Sequence, residues 1–113
     1  MRAMVAWWDL TESDQTVESL RSFLRDEAVE AWSGHEGLVL KLWIADDENN
    51  RWGAVLLWES AEAAVPPHPR SAAELIGYPP THRTWFDIEA TIEGRHGIPS
   101  LVGLGRALEA QNR

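Results

Sequence analysis

The hydrophobic positions of this chain follow two periods. Ala3 to Asp9 is a short apolar run with Val5, Trp7 and Trp8, the length of a buried strand. From Val17 onward, Val17, Leu20, Leu24, Ala28 and Ala31 recur at spacings of three and four, which predicts an amphipathic helix. Thr11-Glu-Ser-Asp14 offers N-cap candidates for that helix, and Gly34 stands at a C′ position. Glu18, Arg21, Arg25, Asp26 and Glu30 give the helix a solvated outer face. The period then changes to two. Gly37-Leu-Val-Leu-Lys-Leu-Trp-Ile-Ala45 and Arg51-Trp-Gly-Ala-Val-Leu-Leu-Trp-Glu59 flank the polar stretch Asp46-Asp-Glu-Asn-Asn50, a β-hairpin with a longer loop. Ser60 to Val65 has room for one or two helical turns before Pro66-Pro-His-Pro69 breaks them. Ser71-Ala-Ala-Glu74 is a capping-box pattern that restarts a helix, stopped by Gly77 and Pro79-Pro80. His82 to Glu93 alternates cleanly as a last strand, and Ser100 to Ala110 predicts a C-terminal helix weakened by Gly103 and Gly105.

The order β-α-β-β-α-β is the split βαβ, ferredoxin-like arrangement of an α+β domain with a four-stranded antiparallel sheet. Residues 1–94 form that domain and 95–113 a C-terminal extension. Alternation divides the sheet residues between two faces. Leu38, Leu40, Leu42 and Ile44, with Phe86, Ile88, Ala90 and Ile92, are expected to lie beneath the helices. Lys41, Trp43 and Trp85, with Asp87 and Glu89, are expected on the opposite face. A second sheet packed there would bury the indoles and let Lys41 meet Asp87 or Glu89, so a homodimer through the face carrying Lys41, Trp43 and Trp85 is expected.

Composition narrows the function classes. One domain of 113 residues with 44% hydrophobic and 25% charged residues suits a globular fold. With no cysteine, disulfides, zinc–thiolate sites and thiol nucleophiles are excluded, and a reducing cytoplasm fits. A formal net charge of -8 and scattered arginines speak against nucleic acid as a partner. No run approaches the roughly twenty apolar residues of a membrane span, so no membrane role is expected.

Gly37-x-x-x-Lys41-x-Trp43, the polar turn, and Gly53-Ala-Val-x-Leu-Trp-Glu59 resemble the hairpin of the small monooxygenases of the dimeric α+β barrel superfamily, closest to its YdhR-like subgroup. The likeness continues more faintly through Leu75-Ile-Gly77 and Phe86-Asp-Ile-Glu89. It implies a homodimer whose two sheets form a barrel, with a pocket between sheet and helices in each subunit. It implies a cofactor-independent enzyme of secondary metabolism, a monooxygenase acting on an aromatic or polyketide-like substrate. Other members of the superfamily are cyclases and isomerases, so the fold leaves those open, along with a non-catalytic small-ligand-binding dimer.

Some superfamily cyclases keep a Tyr–His pair near the end of the second helix, and Tyr78 and His82 flank Pro79-Pro80 there. That implies His82 as general base and Tyr78 as the residue positioning the substrate; a surface turn is the alternative. Arg83 could hold an anionic or phenolate oxygen, and His68 sits in the proline-rich loop over a pocket mouth. Flat indoles can line a slot for a polycyclic ligand, and Trp7 and Trp58 are the two assigned to it. His35 and His96 read as surface residues. The four histidines show no metal-ligand spacing, so no metal and no cofactor is expected.

Overall fold

In the computed structural model, residues 1–65, 67–101 and 103–109 are described. Pro66, Val102 and the end of the extension lie outside them. The strands are β1 (Arg2–Asp9), β2 (Leu38–Asp46), β3 (Arg51–Trp58) and β4 (His82–Asp87). They form one antiparallel sheet in the order β2-β3-β1-β4, as the ferredoxin-like arrangement requires. Between β1 and β2 runs α1 (Val17–Phe23), a π-helical turn (Leu24–Ala28) and α2 (Val29–Trp32). Between β3 and β4 lie a 3₁₀ turn (Glu62–Ala64) and α3 (Ala72–Ile76). A 3₁₀ turn (Ile98–Leu101) and α4 (Arg106–Glu109) complete the chain. No described helix is long and apolar enough to cross a membrane.

The first helix starts later than Thr11-Glu-Ser-Asp14 suggested. Its N-cap is Thr16, whose hydroxyl accepts the Ser19 N–H while the Ser19 hydroxyl accepts the Thr16 N–H, a reciprocal capping box. Ser71 caps α3 by accepting the Ala73 N–H, and Gly77 ends it at φ 102°. The last strand is shorter than the His82–Glu93 alternation predicted. Its partner is β1, and Asp87 already pairs with Arg2. Beyond Asp87 the ladder has no partner to run along, so alternation alone does not hold a strand together.

The helix stripe also differs at its end. Val17, Leu20, Leu24 and Ala28 are buried as expected, but Ala31 is exposed and Trp32 turns toward the sheet. The steps 20→24→28→32 are all of four residues, and three such steps drift by about 120° in a regular α-helix. The π turn, closed by the Val29 N–H on the Leu24 carbonyl, takes up that drift.

The two sheet faces are reversed relative to the expectation. Lys41, Trp43 and Trp85 lie under the helices, together with Trp8, Trp52 and Trp58. Leu40, Leu42, Ile44 and Phe86 lie on the other face, where Leu42, Ile44 and Phe86 are 42%, 43% and 49% exposed. Leu38 alone of its set stays with the helix side, because a bulge between Leu38 and Leu40 shifts the register there. Alternation says which residues share a face; it does not say which face the helices choose. The choice follows area: each indole buries about 150–250 Å², more than a leucine, and Trp52 and Trp58 end 3% and 2% exposed. The Lys41 pair with Asp87 or Glu89 is not formed within the subunit. β2 and β4 are the two outer strands, about 14 Å apart across the sheet, and Asp87 instead pairs with Arg2 at 3.2 Å.

Candidate functional site

Between the helices and the sheet lies a cavity of about 550 Å³, within the size range of small-molecule sites. Its floor comes from all four strands, and its roof from the helix that ends in α2, the loop around His68 and α3. All the tryptophans but Trp7 line it: Trp8, Trp32, Trp43, Trp52, Trp58 and Trp85. The wall is therefore flat, apolar and rich in π surface.

Lys41 enters this wall from the middle of β2. Its Nζ stands 3.4 Å from the centre of the Trp32 ring and 4.7 Å from that of Trp43. The indole faces offer the ammonium a cation–π environment in place of water. No ion pair with a carboxylate is made by Lys41 among the described residues. Burial away from water is the dominant influence on its amine and lowers the pKa to about 7. A group normally charged throughout the physiological range is here divided between ammonium and free amine at neutral pH.

Next to Lys41 stands an aromatic box. Trp32, His35, Trp58 and His68 pack with ring centres 5.0–6.3 Å apart. His68 Nε2 is 2.7 Å from the Ala64 carbonyl, which can only accept, so that nitrogen carries a proton. The other ring nitrogen, Nδ1, is then the acceptor, and it accepts a hydrogen bond from His35 Nε2 at 3.1 Å. The pair ties the loop over the cavity to the end of the first helix. Arg70 makes a second tie, to Glu27 at 3.4 Å and Glu74 at 3.6 Å.

The sequence-derived candidates separate. Trp58, His68, Tyr78 and Arg83 line the cavity. The Tyr78 hydroxyl donates to the Asp9 carbonyl at 2.5 Å, and the Tyr78 carbonyl accepts from Trp8 Nε1 at 2.8 Å. Tyr78 thus pins the loop before β4 to the end of β1. Arg83 Nε lies 3.3 Å from Met4 Sδ. His82 and Trp7 are on the opposite face, stacked on one another with ring centres 4.7 Å apart. The expected pairing of Tyr78 and His82 around one pocket is not what the geometry gives, because neighbouring strand residues point to opposite sides and Arg83 takes the cavity side. Trp7 covers Gly53 across the strands, where a Cβ would collide with the Trp7 backbone.

Trp32 and Lys41 line the cavity and His35 packs against Trp32 and Trp58 beside it, yet none of them is among the sequence-derived candidates; Trp43 and Trp85 line it too, although they were expected on the opposite face. Trp32 was hidden by the π turn, although the unbroken steps of four from Leu20 mark it. His35 follows the helix stop and looked like a surface residue; it is half-buried against Trp32 and Trp58. Lys41 was read as an ion-pair partner, yet it is the single lysine among ten basic residues, a clue present in the sequence itself. Among the described residues no group of three or more His, Asp or Glu side chains is placed to hold a metal ion. No protein-family model and no curated protein matches the chain.

Proposed function

We propose that this chain is a small cofactor-independent enzyme that takes a planar aromatic or polyketide-like compound into the tryptophan-lined cavity and oxidises it with dioxygen. The observation that carries the reading is the cavity wall: six indoles around one lysine that has no carboxylate partner among the described residues. Flat indoles suit a flat ring system, and the lone amine suits an acidic hydroxyl or an enolisable carbonyl. The free amine of Lys41 accepts the proton of the phenol or enol. The ammonium so formed stays beside the new oxyanion, where the low local dielectric strengthens their attraction. The carbanion form of the substrate reacts directly with dioxygen. For a hydroxylated anthrone, the ring CH₂ becomes C=O, one oxygen atom is retained, and the other leaves as water with the two hydrogens; the substrate supplies all the electrons. His82 stands outside the cavity, so Lys41 takes the role of base in this scheme. Oxygen as co-reactant is supported by the hairpin's resemblance to the small monooxygenases.

The scheme predicts one dioxygen consumed per carbonyl formed when a hydroxylated anthrone is the substrate, read by an oxygen electrode. Removing oxygen should stop turnover. Turnover of an enolisable substrate at an unchanged rate without oxygen would eliminate the oxygenase and leave a cyclase or isomerase.

The same reading includes a homodimer, now through the open face. Val5, Leu42, Ile44, Val55, Leu57 and Phe86 share that face, which the helices do not cover. A second copy related by a two-fold axis would match this patch with its own equal and leave both cavities undisturbed.

A further inference from the structure

We infer that Lys41 is a nucleophile that holds a carbonyl ligand in the cavity as an imine. This rests on the cavity reading above and narrows its substrate class to compounds presenting a ketone or aldehyde beside a flat apolar body, such as β-dicarbonyls.

Four observations converge. First, the chain has nine arginines and one lysine; Arg70 and Arg83 also line the cavity, but it is the lysine that stands between Trp32 and Trp43. An arginine there would supply the same charge but could never become a neutral nucleophile. Second, Nζ rests on indole faces and makes no ion pair among the described residues, so none of their carboxylates holds it in the ammonium form. Third, its desolvated surroundings favour the uncharged amine, which is the condition for lysine nucleophiles in apolar pockets. Fourth, the apolar wall disfavours free water, and imine formation releases water.

The step balances without an oxidant or reductant. The Nζ lone pair attacks the carbonyl carbon and the C=O π pair moves to oxygen. Proton transfer from nitrogen to oxygen gives the carbinolamine. Loss of that oxygen as water forms C=N, so amine plus carbonyl gives imine plus water. In its protonated form the imine acidifies the neighbouring C–H, and transfer of that proton to the water just released gives an enamine. The enamine is the carbanion equivalent that the proposed reaction needs, so for a carbonyl substrate Lys41 activates the compound covalently in place of acting as its general base.

The chain offers two kinds of amine, Lys41 and the α-amine of Met1, so labelling sites separate cleanly. The probe is 2-hydroxy-1-naphthaldehyde, a planar aromatic aldehyde, added to the full chain at pH 7. Borohydride reduction followed by peptide mass mapping reads the adducts, and quenching of tryptophan fluorescence reads uptake independently. The expected result is a Lys41 adduct that saturates with the quenching curve and falls at least tenfold when 2-naphthol, which has no carbonyl, competes. The α-amine adduct should instead grow linearly and ignore the competitor. Lys41→Arg should keep the quenching and lose the adduct at position 41. Saturated quenching with adduct on the α-amine alone would overturn the imine while sparing the cavity. Absence of quenching by both compounds would overturn the cavity reading and the imine together.

Discussion

At the scale of single residues, Lys41 departs furthest from ordinary behaviour. Its pKa is held near 7 by burial, against about 10.4 in an exposed lysine. Between those values the unfolded chain binds more protons than the folded one, so stability rises with pH across that window. The penalty is complete below about pH 7 and fades as pH climbs toward the unfolded value. Lys41→Met should remove this slope and stabilise the chain at pH 6 by about 1–3 kcal/mol, allowing for solvent reaching the amine through the cavity. Urea midpoints at pH 6 and pH 10 check this; a wild-type midpoint that is flat over the interval contradicts it. Trp58 lies at the other extreme, 2% exposed and packed among Trp32, His35 and His68. Trp58→Ala should cost about 3–5 kcal/mol by leaving a cavity and should loosen the loop that carries His68. Amide exchange across residues 61–70 would show the loosening.

At the scale of elements, the first helix shows how local signals are shared out. Its start depends on the reciprocal bonds of Thr16 and Ser19, and Thr16→Ala should cost about 1 kcal/mol in thermal or urea unfolding. That start was not legible, because Thr11, Ser13, Asp14 and Thr16 are all competent caps and only the packing of Val17 and Leu20 selects among them. The existence of the helix, the hairpin and α3 was legible, since each combines a strong period with a stop residue. The length of β4 was not, because a strand needs a partner and β1 starts only at Arg2. The inner face of the sheet was not either. Period two groups Lys41 with Trp43 and Leu40 with Leu42, but it is silent on which group the helices cover. That silence explains why Trp58 and His68 were found as cavity residues from sequence while Lys41 was assigned elsewhere.

At the scale of the whole molecule, the two faces of the sheet carry two different surfaces. The helix-covered face encloses indoles and an amine; the open face is a plain apolar patch around Leu42, Ile44 and Phe86. Such a patch on a free monomer would be unusual, and a second copy is the occupant proposed for it. Ile44→Asp should shift the sedimentation coefficient at micromolar concentration from dimer to monomer and leave the cavity's ligand quenching in place. A wild-type chain that sediments as a monomer contradicts the dimer. The proposed reaction has two candidate bases, His82 and Lys41, and they lie on opposite faces of the sheet. The most direct measurement is the rate of oxygen uptake with a hydroxylated anthrone for His82→Ala and Lys41→Met beside the wild type. Lys41→Met should lose about 10²-fold or more, the scale of a missing general base, while His82→Ala keeps its rate within about twofold. The opposite pattern, with His82→Ala inactive and Lys41→Met unimpaired, would place the chemistry on the open face and contradict the account.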